Sequence, residues 1–380
     1  MTAIKKTMCA LGFGLGLLAF SLTGAVAQTL KIGIIAPLTG PGAPWGLASK
    51  VAAEIVAAEV NAKGGLDVGG KKYQVSVVAY DDQYKAAEAV AAYNRLLNQD
   101  GVKYMIIATS APTMALKDNV EDDKVIALTS SYTPAAIGEK TKYMFRLYSV
   151  AQDFVPPYAD WLVKNVKERR MLTLNPNDET GWQQAKVTEK VYKEKGFEIV
   201  GGELYERSIK DFAPLFAKIM KSSPDIIDLG STAPATAGLI VRQARELGYK
   251  GRFAQTGGPG WAAAVEAAGK EAAEGMINML YADPDNAGYR RISADYKKLV
   301  GQDPNEIIVP YYDAVKVLLA AISKAGNVDD TAKVAAAFKT VLPLPGVQGD
   351  EMTYEYQQIR TFDYIGVIKD GKPSVVGKIK

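Results

Sequence analysis

Residues Lys31–Gly46 read KIGIIAPLTGPGAPWG, and the fold follows from how that stretch is understood. KIGIIA is a short run rich in β-branched residues, the pattern of a strand buried on both faces. The turn that leaves it holds Gly40, Gly42, Gly46, Pro41, Pro44 and Trp45. A plain turn uses Gly or Pro but has no need of an indole. A phosphate cradle would want Lys and free backbone N–H groups, and proline removes those. The stretch therefore reads as a stiffened loop at the carboxyl end of a parallel strand, presenting Trp45.

Outward from it, apolar runs alternate with helix-period segments. Strands are expected at Lys31–Ala36, Gln74–Ala79, Met105–Thr109 and Val125–Thr129, then at Met171–Leu174, Phe197–Leu204, Ile226–Leu229, Arg252–Thr256 and Met276–Leu280. Between them run stripes such as Leu47, Val51, Ile55 and Ala58, and Ala86, Ala89, Val90, Tyr93, Leu96 and Leu97, which are core faces. The class is α/β, with parallel sheets covered on both sides. Nine strands exceed one comfortable doubly wound sheet, so two Rossmann-like lobes are expected. The first sheet ends near Leu147, before Pro156-Pro157 at a helix start, and the second near Leu280. Two long helices follow without a strand between them. The tail carries a strand pair around the hairpin signal Asp370-Gly371. Tail elements must dock on lobes already built, so the chain crosses between lobes three times, forming a hinge. The expected division is 28–148 plus 284–340 in the first lobe and 149–283 plus 341–380 in the second.

Composition narrows the function. The 380-residue chain is 48% hydrophobic and 23% charged, ordinary for a globular protein. Residues 1–27 read as a signal peptide: Lys5 and Lys6, an apolar run from Met8 to Leu22, then Ala25-Val26-Ala27 before a cut at Gln28. Those two lysines account for two of the three net positive charges, so the remainder is almost neutral and has no field for nucleic acid or an anionic membrane. The single cysteine, Cys9, lies in the signal and precedes its apolar run, unlike a lipoprotein's anchoring cysteine. Histidine is absent, which excludes Ser-His and Cys-His catalysis and the usual zinc sites. Asp81-Asp82 lacks further carboxylates at ligand spacing and reads as capping or as a solvated pair, so no metal is expected. Nor does any motif call for a cofactor.

Ligands of open α/β sheets bind outside the carboxyl ends of the strands. The loops there are PLTGPGAPWG, YDDQYKAAE, TSAPTM and TSSYTP in the first lobe, and NPNDETGWQ, GSTAPAT and TGGPGW in the second. They are rich in hydroxyls and aromatics and hold few charges. Hydroxyls and helix N-termini suit a small carboxylate, and Trp and Tyr an apolar or flat body. Trp45 can pack on its own lobe or face the cleft; the counterpart loop ending in Trp261 favours the cleft. Tyr84, Tyr132 and Trp182 are cleft wall or lobe packing, and Ser110, Ser131 and Thr133 are at least helix caps. An exported glycoside hydrolase working through paired carboxylates is the enzyme alternative, but the loops offer it only Asp81, Asp82, Asp178 and Glu179.

The ordered set KIGIIAPLTGPGAPWG, AAEIVAAEVNAKGGLDVGGKKYQVSVVAYDDQ, AAYNRLLNQDGVKYMIIA, VRQARELGYKGRF and EAAEGM is similar to the periplasmic solute-binding proteins of the leucine/isoleucine/valine-binding family, over nearly all of Leu30–Lys380. The resemblance implies a two-lobed monomer in the periplasm that closes on a small molecule and presents it to an inner-membrane ABC-transporter permease. It implies that Trp45 packs on the ligand, and that Ser110, with Ala111 beside it, binds its carboxylate. Ser131, Tyr132 and Thr133 match the segment that supplies a carbonyl and a threonine hydroxyl. The second lobe departs from the pattern. Thr180, before Gly181, stands where amino-acid binders carry tyrosine. Gly257, or an uncharged neighbour, stands where they place the glutamate that pairs with the ligand's ammonium. A buried ammonium without an anionic partner costs on the order of several kcal/mol. The expected ligand is therefore a carboxylate without an α-amino group, an aromatic acid among them, with Gly257 giving room for a flatter body. The alternative is an amino acid whose ammonium meets Asp178, Glu179 or Asp283.

Overall fold

The computed structural model describes residues 28–380; the signal-peptide reading of residues 1–27 lies outside them. In chain order the first sheet takes β1 (Gln28–Ala36), β2 (Leu66–Val68), β3 (Lys71–Asp81), β4 (Tyr104–Ile107), β5 (Ile126–Thr129) and β6 (Met144–Arg146). The second takes β7 (Arg170–Pro176), β8 (Glu198–Tyr205), β9 (Ile226–Asp228), β10 (Arg252–Gln255) and β11 (Ile277–Leu280). The chain then returns to the first sheet with β12 (Leu344–Pro345), β13 (Glu351–Glu355) and β14 (Gln358–Arg360), and ends in the second with β15 (Asp363–Lys369) and β16 (Lys372–Ile379). All nine expected strands are present, with ends displaced by a few residues.

The helices of the first lobe are α1 (Ala43–Ala62), α2 (Ala86–Asn98) and α3 (Ser110–Asp122). Those of the second are α4 (Ala151–Asn165), α5 (Glu179–Glu194), α6 (Ala213–Ile219), α7 (Pro234–Glu246), α8 (Trp261–Ala268) and α9 (Lys270–Ala273). After β11 come α10 (Ala287–Val300), α11 (Ile308–Ala325) and α12 (Thr331–Val341).

The parallel core of the first sheet runs β3-β1-β4-β5-β6, and that of the second β8-β7-β9-β10-β11. Both have the same order, with the second strand outside the first. Connections therefore reverse direction between β1 and β4, and again between β7 and β9. Loops leaving those strands diverge to opposite faces and open a crevice. Successive isoleucines of β1 face opposite ways. Ile34 joins Val51, Ile55 and Leu318 beneath α1 and α11, while Ile35 joins Tyr93, Leu96 and Leu116 beneath α2 and α3. That two-sided burial is why KIGIIA shows no polar alternation.

Three differences from the sequence reading have physical causes. Pro156 and Pro157 lie inside α4, five residues past its start; Asp153, whose carboxylate accepts the Val150 N–H, opens the helix earlier. Three helices, not two, separate β11 from the next strand. Residues 344–360 add β12, β13 and β14 to the first sheet, whereas the sequence places 341–380 in the second lobe. The β13–β14 turn, Tyr356-Gln357, has φ of 47° and 58°, the left-handed pair of a two-residue hairpin turn. Asp370-Gly371 makes the same turn with φ of 52° and 80° and announces itself by its glycine.

The three crossovers lie side by side. The Ser149 hydroxyl of the first donates to the Asp363 carboxylate of the third, and Tyr281 of the second donates to the Ser149 carbonyl at 3.2 Å. Burial raises the carboxyl pKa of Asp363 to about 7, and does the same for Asp313, Glu306 and Asp82. In the unfolded chain these groups titrate near 4. Folding therefore takes up protons between roughly pH 4 and 7, and stability from these groups is lost as pH rises through that window. Thermal unfolding should give a higher Tm at pH 5.5 than at pH 8; a Tm that climbs steadily with pH would contradict these assignments.

Candidate functional site

The loop 37–46 is built against the end of β1. A Cβ on Gly46 would sit 1.9 Å from the Pro37 carbonyl oxygen, so only glycine lets the first turn of α1 press on the strand end. In the second lobe, a Cβ on Gly181 would sit 1.9 Å from the Pro176 carbonyl oxygen, the same contact at the start of α5. This close approach sends Trp45 into the crevice between the lobes.

Asp81 and Asp82 hold the neighbouring loop. Asp81 accepts the Leu38 N–H and the Gln83 N–H, each at 2.9 Å, and the Thr39 hydroxyl at 2.6 Å, which ties loop 37–46 to loop 81–85. Asp82 accepts the Tyr84 N–H at 2.8 Å. Gln83 and Tyr84 both have left-handed backbones, φ 50° and 64°, a conformation costly for residues with a Cβ. The two carboxylates offset that cost with Asx turns and bring Tyr84 beside Trp45, ring centroids 6.3 Å apart. The acid pair is thus a scaffold for an aromatic wall.

Between the lobes lies a small space bordered by residues of both. The first lobe contributes Trp45, Tyr84, Ala108, Thr109, Ser110, Ser130, Tyr132, Tyr148, Ile307 and Tyr311; the second contributes Thr180, Ser231, Gly258 and Pro259. These residues follow the carboxyl ends of strands in both lobes or open α11, and both direction-reversal points supply some. Nine of the fourteen carry a hydroxyl, and none of these bordering residues carries a charge. The Thr109 and Ser231 hydroxyls are buried without a hydrogen-bond partner in the protein. Ser110 Oγ accepts the Tyr132 N–H at 3.0 Å, leaving its own proton free to donate. Ser110 and Ala111 occupy the first turn of α3, whose N–H groups have no intrahelical acceptor, and Pro112 has none to offer. Thr109, Ser110 and that helix end form a donor set fit for one carboxylate.

The lobes are closed on one another. Trp45 Nε1 donates to the Pro259 carbonyl at 2.9 Å, Thr133 donates to Glu179 at 2.9 Å, and the Tyr84 and Thr180 hydroxyls share a bond of 3.1 Å. Arg207, from the loop after β8, donates to the Tyr84 hydroxyl at 3.1 Å, lies over its ring at 4.4 Å and pairs with Asp178. Burial works against the Arg207 charge, but Tyr84 and Asp178 outweigh it and its pKa rises. Burial pushes the Tyr84 phenol up to about 12 despite that cation. Arg207 therefore stays charged behind a neutral phenol.

Of the residues singled out in the sequence, Trp45, Tyr84, Ser110, Tyr132 and Thr180 border the space. Ala111 lies one residue along α3. Ser131 turns its hydroxyl to the Thr133 N–H at 3.2 Å, and Thr133 is taken up by Glu179. Trp182 is 49% exposed and donates to Asn177 on the surface. Gly257 gives no room: a Cβ there would stand 3.2 Å from Gln184 Oε1 and 3.3 Å from the Gly230 carbonyl, and Gly258 and Pro259 face Trp45 instead. Asp228, which reaches that loop within its own lobe, is spent on Thr256, Tyr192 and the Gly230 N–H. Of the acids that could have met an ammonium, Asp178 is held by Arg207 and the Gly181 N–H, Glu179 by Thr133 and Gln183, and Asp283 accepts the Asp285 N–H. Sequence reasoning missed Tyr148, Tyr311, Ile307 and Arg207. Tyr148 directly follows a strand and could have been found there; Tyr311 is masked by the apolar run of α11.

A family model for periplasmic binding proteins matches residues 29–372. The leucine-, isoleucine-, valine-, threonine- and alanine-binding protein of Pseudomonas aeruginosa is 30% identical over 323 residues, 84% of each chain. A leucine-binding protein from Thermotoga maritima has the same fold, with a TM-score of 0.81 at 23% identity over 92% of this chain and 99% of its own. So does an ABC-transporter solute-binding protein from R. palustris in complex with benzoate, at 0.79 and 20% over 92% and 96%. Two lobes whose parallel cores share one strand order, three adjacent crossovers and a closed space between the lobes agree with that match, and the chain belongs to the periplasmic binding protein family.

Proposed function

We propose that the protein is the extracytoplasmic solute-binding component of a branched-chain-amino-acid-type ABC transporter. It is exported by a cleaved signal peptide, works as a monomer, and captures a small carboxylate for delivery to an inner-membrane permease. The ligand proposed is an organic acid without an α-ammonium, an aromatic acid foremost. The observation that carries this reading is the border of the interlobe space: hydroxyls and a helix end for a carboxylate, aromatic rings for an apolar body, and no carboxylate for an ammonium. Thr109, Ser110 and Ala111 would hold the acid group, Trp45, Tyr84 and Tyr148 its body, and Thr180, Ser231 and Pro259 would close over it. Leucine, isoleucine or valine is the second reading, favoured by what the P. aeruginosa relative is named for binding.

A thermal-shift panel of leucine, valine, benzoate and 3-phenylpropanoate tests the proposal. A ligand at 100 times its Kd adds about 2.7 kcal/mol, an easily measured shift. Benzoate or phenylpropanoate should raise Tm clearly more than either amino acid. Strong stabilisation by leucine and valine with none by the aromatic acids would hand the site to the second reading. Turnover of any of the four would contradict a binding role.

A further inference from the structure

We propose that Asn305 and Glu306, which do not border the ligand space, form a latch that holds the second lobe's loop Thr256–Gly260 in the closed cleft. This goes beyond the proposed function and depends on no particular ligand. The two residues stand just before α11 in the first lobe. Asn305 Nδ2 donates to the Pro259 carbonyl at 2.6 Å, which also accepts the Trp45 indole N–H. Glu306 Oε1 accepts the Gly260 N–H at 2.9 Å. Both side chains are buried, Glu306 to 1% exposure.

Gly260 is the residue before α8, and glycine has no side chain with which to cap that helix. The capping group, the Glu306 carboxyl, comes from the other lobe and accepts the N–H of the residue that precedes the helix. The loop is shaped for this contact. Gly260 has φ 130°, and a Cβ on it would meet Pro234 Cγ at 2.4 Å and Asn305 Nδ2 at 2.7 Å. Bare backbone is what lets the loop expose a carbonyl and an N–H side by side. Opening the lobes would strand Pro259 O, Gly260 N and the Glu306 carboxylate together, so the three bonds form and break as one unit. Because Gly258 and Pro259 border the ligand space, Asn305 and Glu306 are positioning residues for the ligand.

Hydrogen exchange read by mass spectrometry on the mature chain tests the latch. Glu306→Ala should speed exchange in peptides spanning Gly260–Ala264 by tenfold or more. Glu306→Gln, whose amide oxygen can still accept the Gly260 N–H, should restore most of the protection. Peptides covering β10 should exchange alike in all three proteins. Benzoate and leucine should each bind Glu306→Ala at least tenfold more weakly than the wild type, through faster dissociation, wherever the wild type binds them. Unchanged exchange in Glu306→Ala, or Glu306→Gln exchanging as fast as Glu306→Ala, would overturn the latch. Loss of protection in β10 as well would reduce Glu306 to a residue of the fold and overturn it too. If neither compound binds the wild type while the exchange pattern holds, the latch stands and the ligand assignment falls.

Discussion

Gly46→Ala is expected to destabilise the protein by about 3 kcal/mol or more, an unusually large effect for one added methyl group. The atoms in its way are the Pro37 carbonyl oxygen at 1.9 Å and carbon at 2.6 Å, backbone at the end of a central strand. A flexible side chain could swing aside; a strand paired to β3 and β4 cannot without breaking its ladder. The first turn of α1 must lift instead, moving Trp45 and loosening the contact of α1 with α11. Gly181→Ala, facing the Pro176 carbonyl in the same way, should cost the second lobe a similar amount. Gly138 is the control, since a Cβ there meets nothing within 4 Å and its φ is not left-handed. Chemical denaturation should show Gly138→Ala within about 0.5 kcal/mol of the wild type and Gly46→Ala far below it. Equal stability for the two variants would mean that α1 does not rest on the strand end as described.

Trp45→Ala is expected to weaken ligand binding by about 30- to 300-fold, roughly 2–3.4 kcal/mol, the range for a buried aromatic anchor. The side chain is 8% exposed and joins the lobes twice, as a wall of the interlobe space and as the donor to Pro259. Trp45→Phe keeps much of the wall and loses the N–H, so its smaller loss measures the closing bond. The variants should remain folded, because part of the burial of Trp45 is against the opposite lobe and exists only on closure. Calorimetric titration with the strongest stabiliser from the ligand panel reads all three proteins. Unchanged affinity in Trp45→Ala would return the indole to simple packing within its lobe.

How far the sequence revealed these features depended on whether the physical cause was local. KIGIIA, with strand pairing on both sides, could be read as a central strand because burial on both faces leaves its mark in the strand itself. Trp45 was legible because an indole in a Gly/Pro turn has no local purpose. The hairpin at Asp370-Gly371 was legible and the one at Tyr356-Gln357 was not, although their backbones turn alike. The second relies on left-handed residues with side chains, held by pairing with β6 that comes from far away in the chain. Asp81 and Asp82 read as caps or a solvated pair, and nothing in their spacing told that they hold Tyr84 in a left-handed turn. Arg207 and Glu306 were silent for the same reason: each acts on the opposite lobe, and no spacing within one segment encodes that. TGGPGW carries no acid of its own, and the acid that meets it, Glu306, lies 46 residues beyond Gly260.

The central claim is that this cleft accepts a carboxylate but has no partner for an ammonium. Matched pairs test it most directly: leucine against 4-methylpentanoate, and phenylalanine against 3-phenylpropanoate, titrated calorimetrically under one condition. Each pair shares its carboxylate and side chain and differs in the α-amino group. The account predicts that the acid lacking the amino group binds at least tenfold more tightly in whichever pair fits the space, about 1.4 kcal/mol. Tighter binding of the amino acid in that pair would show that the cleft does meet the ammonium, and would contradict the account.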